Sequence, residues 1–517
     1  YDTGFTQAGD VYDGMLFYGF GVGKQDPARP SRIRIYDLDK RVLAARYNVQ
    51  EELPLEIEDI KYYDGDIYVN NNTSPKKTAT PPSIYKLAMP SPVPEPTNPV
   101  EELRQCPEKA GGVYFVADLS AKDITPAPDG FKPFYINGYF RHGARQIDDP
   151  VTYPRIYGCM ENAYASGNLT PFGLEMYKRL AGMKKNLYYH EGDLTQIGYR
   201  QLRDIGKRMV ANYPQVFDSD AYLKAEATNV LRVSASMQSF VQGVTSRRPE
   251  LQWAEIDNSK SHLPDIHPYG TQCPTKKPID VRMYTHDSPW YRLYSEYRST
   301  RINPDDFLNR MFINADAVKA EYEPYDLVWR FWLMACVQQC LDRNVPMWDL
   351  FTEEEILAWT EVENYCFYLQ KSKDESNFGR GWGLAAYTLR HILEESAKDI
   401  RLGRHGVNLN FGHDGTVTCL LVNLDADNWG KTVDSPDKVY DIWQNWNIPM
   451  GSNVQFIFYR NDDGEIILKV MHNEKDVTLP VKEYADGFYR WEDFYSYYDS
   501  HCNSVMEMLE RTENITY

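Results

Sequence analysis

One stretch of the sequence concentrates the groups that phosphoryl chemistry needs. Arg141-His142-Gly143 is followed at once by Ala144 and Arg145, so one imidazole stands between two guanidinium groups. A neutral imidazole is a nucleophile. Guanidinium is permanently charged, and its planar fork matches two phosphate oxygens at once. Their adjacency points to attack on a phosphoryl group. The preceding run, Lys132 to Phe140, is rich in aromatic residues with Gly138 near its end, and it predicts a strand with the motif at its carboxyl end. Open α/β sheets place their ligands there.

A five-residue match recurs by chance, as Arg404-His405-Gly406 shows; that copy lacks the trailing arginine. The discriminating feature is order. Downstream of Arg145 come Thr228, then Arg232 one helical turn later, then Gly412-His413-Asp414-Gly415-Thr416 after a short apolar segment.

These elements resemble the histidine acid phosphatases, the branch of the histidine phosphatase superfamily that includes phytases and multiple inositol polyphosphate phosphatases. The resemblance runs from about Ala110 to the C-terminus. It is carried by "TPAPDGFKPFYINGYFRHGAR", "LTQIGYRQLRDIGKRM", "ATNVLRVSASMQSF", "VNLNFGHDGTV", "IPMGSNVQFIFYRN" and "ILKVMHNEKDVTLP". The span from His142 to His413 leaves room for the large helical insertion of this branch.

The resemblance implies an α/β fold: an open, mostly parallel sheet flanked by helices, with a helical cap subdomain. It also implies a site. His142 would attack phosphorus and become a phosphohistidine, Arg141, Arg145 and Arg232 would grip the phosphoryl oxygens, and His413 would donate a further hydrogen bond. Asp414 would protonate the leaving oxygen and then take a proton from water, so activity should favour acidic pH. No metal and no cofactor is implied. The His-Asp pair leans toward phytase-like or general acid phosphatase use over the His-Ala-Glu form of inositol polyphosphate phosphatases.

Three departures from the family pattern carry expectations. Gln146-Ile147 after Arg145 predicts a different loop path. Phe140, where a small residue is frequent, predicts an altered approach to the pocket. Glu226, where an arginine is frequent, predicts weaker affinity for highly phosphorylated substrates if it faces the pocket. A second His-Asp pair, His286-Asp287, lacks a preceding apolar strand and reads as a decoy.

Composition bounds the rest. A net charge of −18 over 517 residues argues against nucleic acid as a partner, since polyanion binding needs a basic face. A small phosphorylated substrate must therefore meet a local positive pocket, with the remote acidic surface screened beyond roughly 8 Å. No apolar run reaches membrane-spanning length. The eight cysteines include no CxxC pair and no zinc spacing, and Cys336 and Cys340, one turn apart in an apolar run, read as buried thiols. The family resemblance and the absence of an initiating methionine suggest a secreted, periplasmic or cell-surface location.

Along the chain, residues 1–90 show short alternating segments such as "RIRIYDL" and "DGDIYVN", the pattern of a small β-rich module. Residues 91–109, around "PSPVPEPTNP", read as a proline-rich linker. Residues 110–517 form the α/β domain, with a helical insertion over about 150–400 that is almost wholly helical from 285. In the segment from Leu194 to Tyr213, the apolar residues Ile197, Leu202, Ile205, Met209 and Tyr213 predict a helix with one buried face, packed on the sheet beside the catalytic turn. Thr352 with Glu355 reads as a capping box. "VQFIFYR" and "EIILKVM" around Asp463-Gly464 predict a hairpin. Two rival readings remain: a secreted phosphate-ligand-binding protein with weakened catalysis, and phosphotransfer to an acceptor alcohol.

Overall fold

The alternating apolar residues of the first hundred positions pair into two antiparallel sheets. The computed structural model describes residues 98–512, apart from 120–123, 269–287, 343–344 and 346. Within 1–97 it describes segments 6–12, 14–20, 32–38, 42–48, 56–63, 66–72 and 83–87. Contacts divide the chain into Tyr1–Thr97 and Asn98–Tyr517. In the first unit, β1 (Thr6–Tyr12), β2 (Met15–Phe20), β3 (Arg32–Asp37) and β4 (Val42–Asn48) form one sheet, and β5 (Glu56–Tyr63), β6 (Asp66–Asn72) and β7 (Ser83–Leu87) the other. Phe17, Ile33, Ile35, Ile57, Ile60, Ile67 and Val69 close a core between them.

The expected linker is shorter than the sequence suggests. Pro99–Gln105 is a helix whose Asn98 side chain accepts from the Glu101 amide, and it belongs to the larger unit. Proline suits the first helical turn, so Asn-Pro here starts a helix.

The larger unit is built on one nine-stranded sheet. Its strands are β8 (Lys132–Arg141), β9 (Tyr222–Ala227), β10 (Trp253–Asp257), β11 (Gly406–Gly412), β12 (Asn453–Arg460), β13 (Ile466–His472), β14 (Lys475–Asp476), β15 (Glu483–Ala485) and β16 (Phe488–Arg490). The order is β10-β9-β11-β8-β12-β13-β16-β15, with β14 paired to β13. The first four strands in this order run parallel, and β12 onward is antiparallel. β12 and β13 form the expected hairpin.

The period-2 alternation of the strands splits the core in two. Ile136 and Phe140 join Leu409, Phe411 and Ile457 on one face, beneath α1 (Gln196–Asn212) and α2 (Leu231–Arg247). Leu202, Ile205 and Met209 form the buried stripe of α1, as the helical spacing requires. Tyr135 and Tyr139 join Val454, Phe456 and Phe458 on the other face with the helical block, which includes α3 (Leu263–Ile266), α4 (Pro324–Val337), α5 (Glu353–Lys371) and α6 (Ala385–Arg401). Thr352 and Glu355 form the reciprocal capping box of α5.

The helical insertion expected over about 150–400 is interrupted. β9 and β10 lie inside it and extend the central sheet. "YLKAEA" alternates small apolar and charged residues, and the buried pairing of Lys224 with Glu226 lets a charged row occupy an interior strand. Among the described residues no helix is long and apolar enough to cross a membrane. The seven described cysteines are free thiols, Cys336 and Cys340 buried among them. Cys273, His286 and Asp287 lie outside the described residues.

Candidate active site

Two adjacent parallel strands deliver the central groups. β8 ends at Arg141 opposite Gly412 of β11, and the His142 amide donates to the Gly412 carbonyl at 3.0 Å, so pairing continues into the site. The chain leaves β11 through His413 directly into α7 (Asp414–Leu424), which sets a helix N-terminus beside Arg141 and His142. That end favours anions. Gly412 is required by crowding, because a Cβ there would meet the Tyr139 hydroxyl at 1.8 Å. The turn after His142 is equally tight: a Cβ on Gly143 would lie 2.5 Å from the Gly198 carbonyl of α1.

His142 is 1 % exposed, and its Nδ1 lies 2.9 Å from the Gly143 carbonyl. A carbonyl only accepts, so Nδ1 carries the proton and Nε2 keeps the lone pair. Burial, then the charges of Arg141, Arg232 and Arg145, hold the ring well below the usual histidine range, so it is neutral.

Arg141 is fully buried. Its Nη1 donates to the Val113 and Ile448 carbonyls at 2.6 and 2.9 Å, and its Nη2 to Asp414 Oδ2 at 2.9 Å. Arg145 and Arg232 share one carboxylate, Asp148, at 3.2 and 3.0 Å. After these bonds are made, the Nε–H groups of Arg141, Arg145 and Arg232 are each buried with no acceptor. An unsatisfied buried donor costs about 1–3 kcal/mol, more when charged. Three of them beside a neutral imidazole make a site that an anion stabilises.

Asp414 sits opposite. Burial would raise its pKa, but Arg141, Arg145 and Lys371 outweigh that and hold the carboxyl well below the usual range. Gly415 donates to its Oδ1 at 2.6 Å. His413 lies edge-on to His142 with ring centroids 5.8 Å apart, and its Nε2 is 3.3 Å from Thr228 Oγ1. Burial, then His267 and Arg232, keep it neutral as well.

All six residues expected from the sequence, Arg141, His142, Arg145, Arg232, His413 and Asp414, are thus brought into one constellation. The family model of the histidine phosphatase superfamily (branch 2) matches residues 139–473. The chain belongs to this superfamily. No curated protein matches the sequence. Among solved structures, the multiple inositol polyphosphate phosphatase of Bifidobacterium longum in complex with phosphate is 15% identical, with 76% of this chain and 97% of that chain covered and a TM-score of 0.62. The phytase from D. castellii is 16% identical, covering 78% of this chain and 87% of that one, with a TM-score of 0.56. At such identities the likeness shows the fold.

Within this histidine phosphatase fold, several expectations change. Phe140 does not shape the pocket; it is buried against Phe240 and Phe411, each at 5.2 Å, on the opposite sheet face from Tyr139. Glu226 pairs with Lys224 at 2.7 Å, with His262 3.2 Å away, so its charge is answered outside the arginine cluster. The loop after Arg145 is tied to the segment before α1, with Gln146 donating to Asp193 and Gly192 donating to Ile147. The second Arg-His-Gly copy precedes β11 and so lies at that strand's far end from His413, where His405 faces Asp220 at 3.2 Å.

Sequence reasoning missed four contributors. Asp148 positions two arginines. Gln201 of α1 accepts from the Ala144 amide at 2.9 Å and donates to Met450, fixing the turn. Lys371, at the end of α5, adds positive charge near Asp414. His267, just after α3, packs on His413 at 4.4 Å, and burial, with Lys371, lowers its pKa to about 4. Asp148 stands close to Arg145 and Gln201 lies within the quoted segment that opens α1, whereas Lys371 and His267 belong to no local motif.

Proposed function

We propose that this protein hydrolyses phosphomonoesters through a phosphohistidine at His142, with inositol phosphates of the phytate class among its substrates. The carrying observation is the trio of acceptor-less guanidinium Nε–H groups beside a neutral imidazole whose Nε2 holds a lone pair. Arg141, Arg145 and Arg232 hold the equatorial oxygens, joined by His413 and the N-terminus of α7. The His142 lone pair forms the N–P bond as the P–O bond to the leaving alcohol breaks. The new positive charge on the ring is held by the Nδ1–H bond to the Gly143 carbonyl.

Asp414 supplies the proton to the departing oxygen. Its carboxyl is ionised beside three cations, and the arriving phosphoryl group, which brings negative charge to the same arginines, raises its proton affinity. Protonated Asp414 then coexists with bound substrate at acidic pH. In the second half, water attacks phosphorus, Asp414 takes its proton, the P–N bond breaks and neutral His142 returns. The residues named supply nucleophile, charge and proton from the chain itself. The phytate class is favoured by the fold shared with an inositol polyphosphate phosphatase and a phytase.

The test is turnover of p-nitrophenyl phosphate and phytate across pH, with acid-labile, base-stable phosphate incorporation in a quenched reaction. Wild type should show both turnover and labelling, and His142→Ala neither, with an unchanged circular dichroism spectrum. Labelling that survives His142→Ala would refute the assignment.

A further inference from the structure

A second group of ionisable side chains lies at the sheet edge, away from the phosphorus-attacking groups. Strand alternation puts Lys224 and Glu226 of β9 on one face, beside Glu255 and Asp257 of the edge strand β10, with Asp257 opposite Glu226 in the parallel register. Like charges so placed repel. His262, just before α3, is inserted between them: its Nε2 lies 2.7 Å from Asp257 Oδ2, and its Nδ1 3.2 Å from Glu226 Oε1.

A neutral imidazole has one N–H and can answer only one of these carboxylates. With the proton on Nε2, held by Asp257, the Nδ1 lone pair faces a carboxylate oxygen. That contact repels unless a positive charge lies between them. Glu226 is 1 % exposed, and its Oε2 accepts no hydrogen bond. His391 Nε2, also buried without a hydrogen bond, stands 3.7 Å from that oxygen. One ligand atom each from Glu226, Glu255 and His262 lies within 4.8 Å of the others.

We propose that Glu226, Glu255 and His262 bind a divalent cation of zinc's type. Bonds of 2.0–2.1 Å in tetrahedral geometry separate ligand atoms by about 3.3 Å, close to the observed Nδ1 to Oε1 distance. A metal-bound histidine characteristically donates its other N–H to a carboxylate, the part Asp257 plays here. The set combines two carboxylates with one imidazole, leaving a fourth position to water or His391. Lys224 competes for Glu226 Oε1 at 2.7 Å, but it has a second partner in Glu395 at 3.3 Å, to which it moves when the cation enters. The site uses no cysteine, so cysteine spacing gave no sign of it. It touches none of the reacting groups and stabilises the β9–β10 edge.

Zinc titrated by calorimetry into the chelator-treated, tag-free full chain tests this. Wild type should take up one ion per chain at micromolar or tighter affinity, with Tm rising by about 2 °C or more at saturation. Glu255→Gln, on the half-buried edge strand, should weaken binding at least about tenfold, and Asp257→Asn about 10–100-fold. His142→Ala should bind zinc as wild type does, so the result is independent of the phosphatase reading. Absence of saturable binding, or equal binding by wild type, Glu255→Gln and Asp257→Asn, would overturn the proposal: the cluster would be an ion-pair network only, with any uptake coming from thiols elsewhere.

Discussion

Replacing Asp414 by Asn separates proton transfer from the structural work at this position. Asparagine keeps the volume and an acceptor for the Gly415 amide, so α7 retains its first bond. What is lost is one charge and one transferable proton. At 2.9 Å from Arg141 Nη2, that charge has a gross attraction of about 6 kcal/mol at an effective dielectric near 20. This attraction is part of what keeps the carboxyl ionised before substrate arrives. Removing it leaves Arg141 more available to a phosphate oxygen, so sulfate or phosphate inhibition should be as strong as in wild type or stronger. General acid catalysis contributes about 10²–10⁴-fold, or about 3–5 kcal/mol of barrier. An alkyl phosphomonoester, whose alkoxide leaves poorly, should therefore lose about that much kcat/KM, which reports only the steps through P–O cleavage, in the Asn variant. p-Nitrophenyl phosphate, whose leaving group departs without help, should lose less than about tenfold in the same assay. Equal slowing of the two substrates would remove Asp414 from the proton-transfer step, and weakened inhibition by sulfate would show that the geometry had been damaged instead.

Arg145→Lys keeps the charge but loses the fork shared between Asp148 and the anion site, and a charged hydrogen bond of about 1.5–3 kcal/mol corresponds to a fall in kcat/KM of about 10–100-fold; an unchanged value would mean that Arg145 does not contact substrate. Gly143→Ala forces a Cβ to within 2.5 Å of the Gly198 carbonyl, and such overpacking should cost at least about 1–3 kcal/mol, read as a lower urea midpoint together with lost activity. For pH, His142 and His413 are depressed below 6.5, and His267 to about 4, each first by burial. A depressed histidine binds its proton more readily unfolded than folded, so its stabilising share is complete above pH 6.5 and is lost as pH falls toward the folded value. Asp414, depressed below 3.8, loses its share only below about pH 4. The ligand-free protein should thus show a falling Tm from pH 7 to pH 4, with His267 alone worth up to about 3 kcal/mol. Saturating sulfate, which favours the protonated rings, should flatten that slope, and a slope unaffected by sulfate would place the anion away from these histidines.

The residues proposed to carry the chemistry were legible in the sequence because they sit in local motifs. Arg141 to Arg145 and Gly412 to Thr416 each follow an apolar strand, and the turn that exposes them is written in glycines that no other residue can replace without collision. The α1 stripe, the Thr352–Glu355 capping box and the β12–β13 hairpin were likewise readable, since each depends on neighbours within a few residues. Convergence from distant parts of the chain was not. Which sheet face Phe140 takes, that His262 arrives beside Glu226, that Asp148 bridges Arg145 to Arg232, and that Lys371 and His267 arrive beside Asp414 and His413 follow from strand register and helix packing. β9 and β10, hidden inside a helical stretch, became strands because the sheet offered Lys224 and Glu226 a buried partner in each other. Short-range sterics fix the backbone of a motif, whereas the charges that surround it are set by tertiary contacts that a linear pattern does not encode.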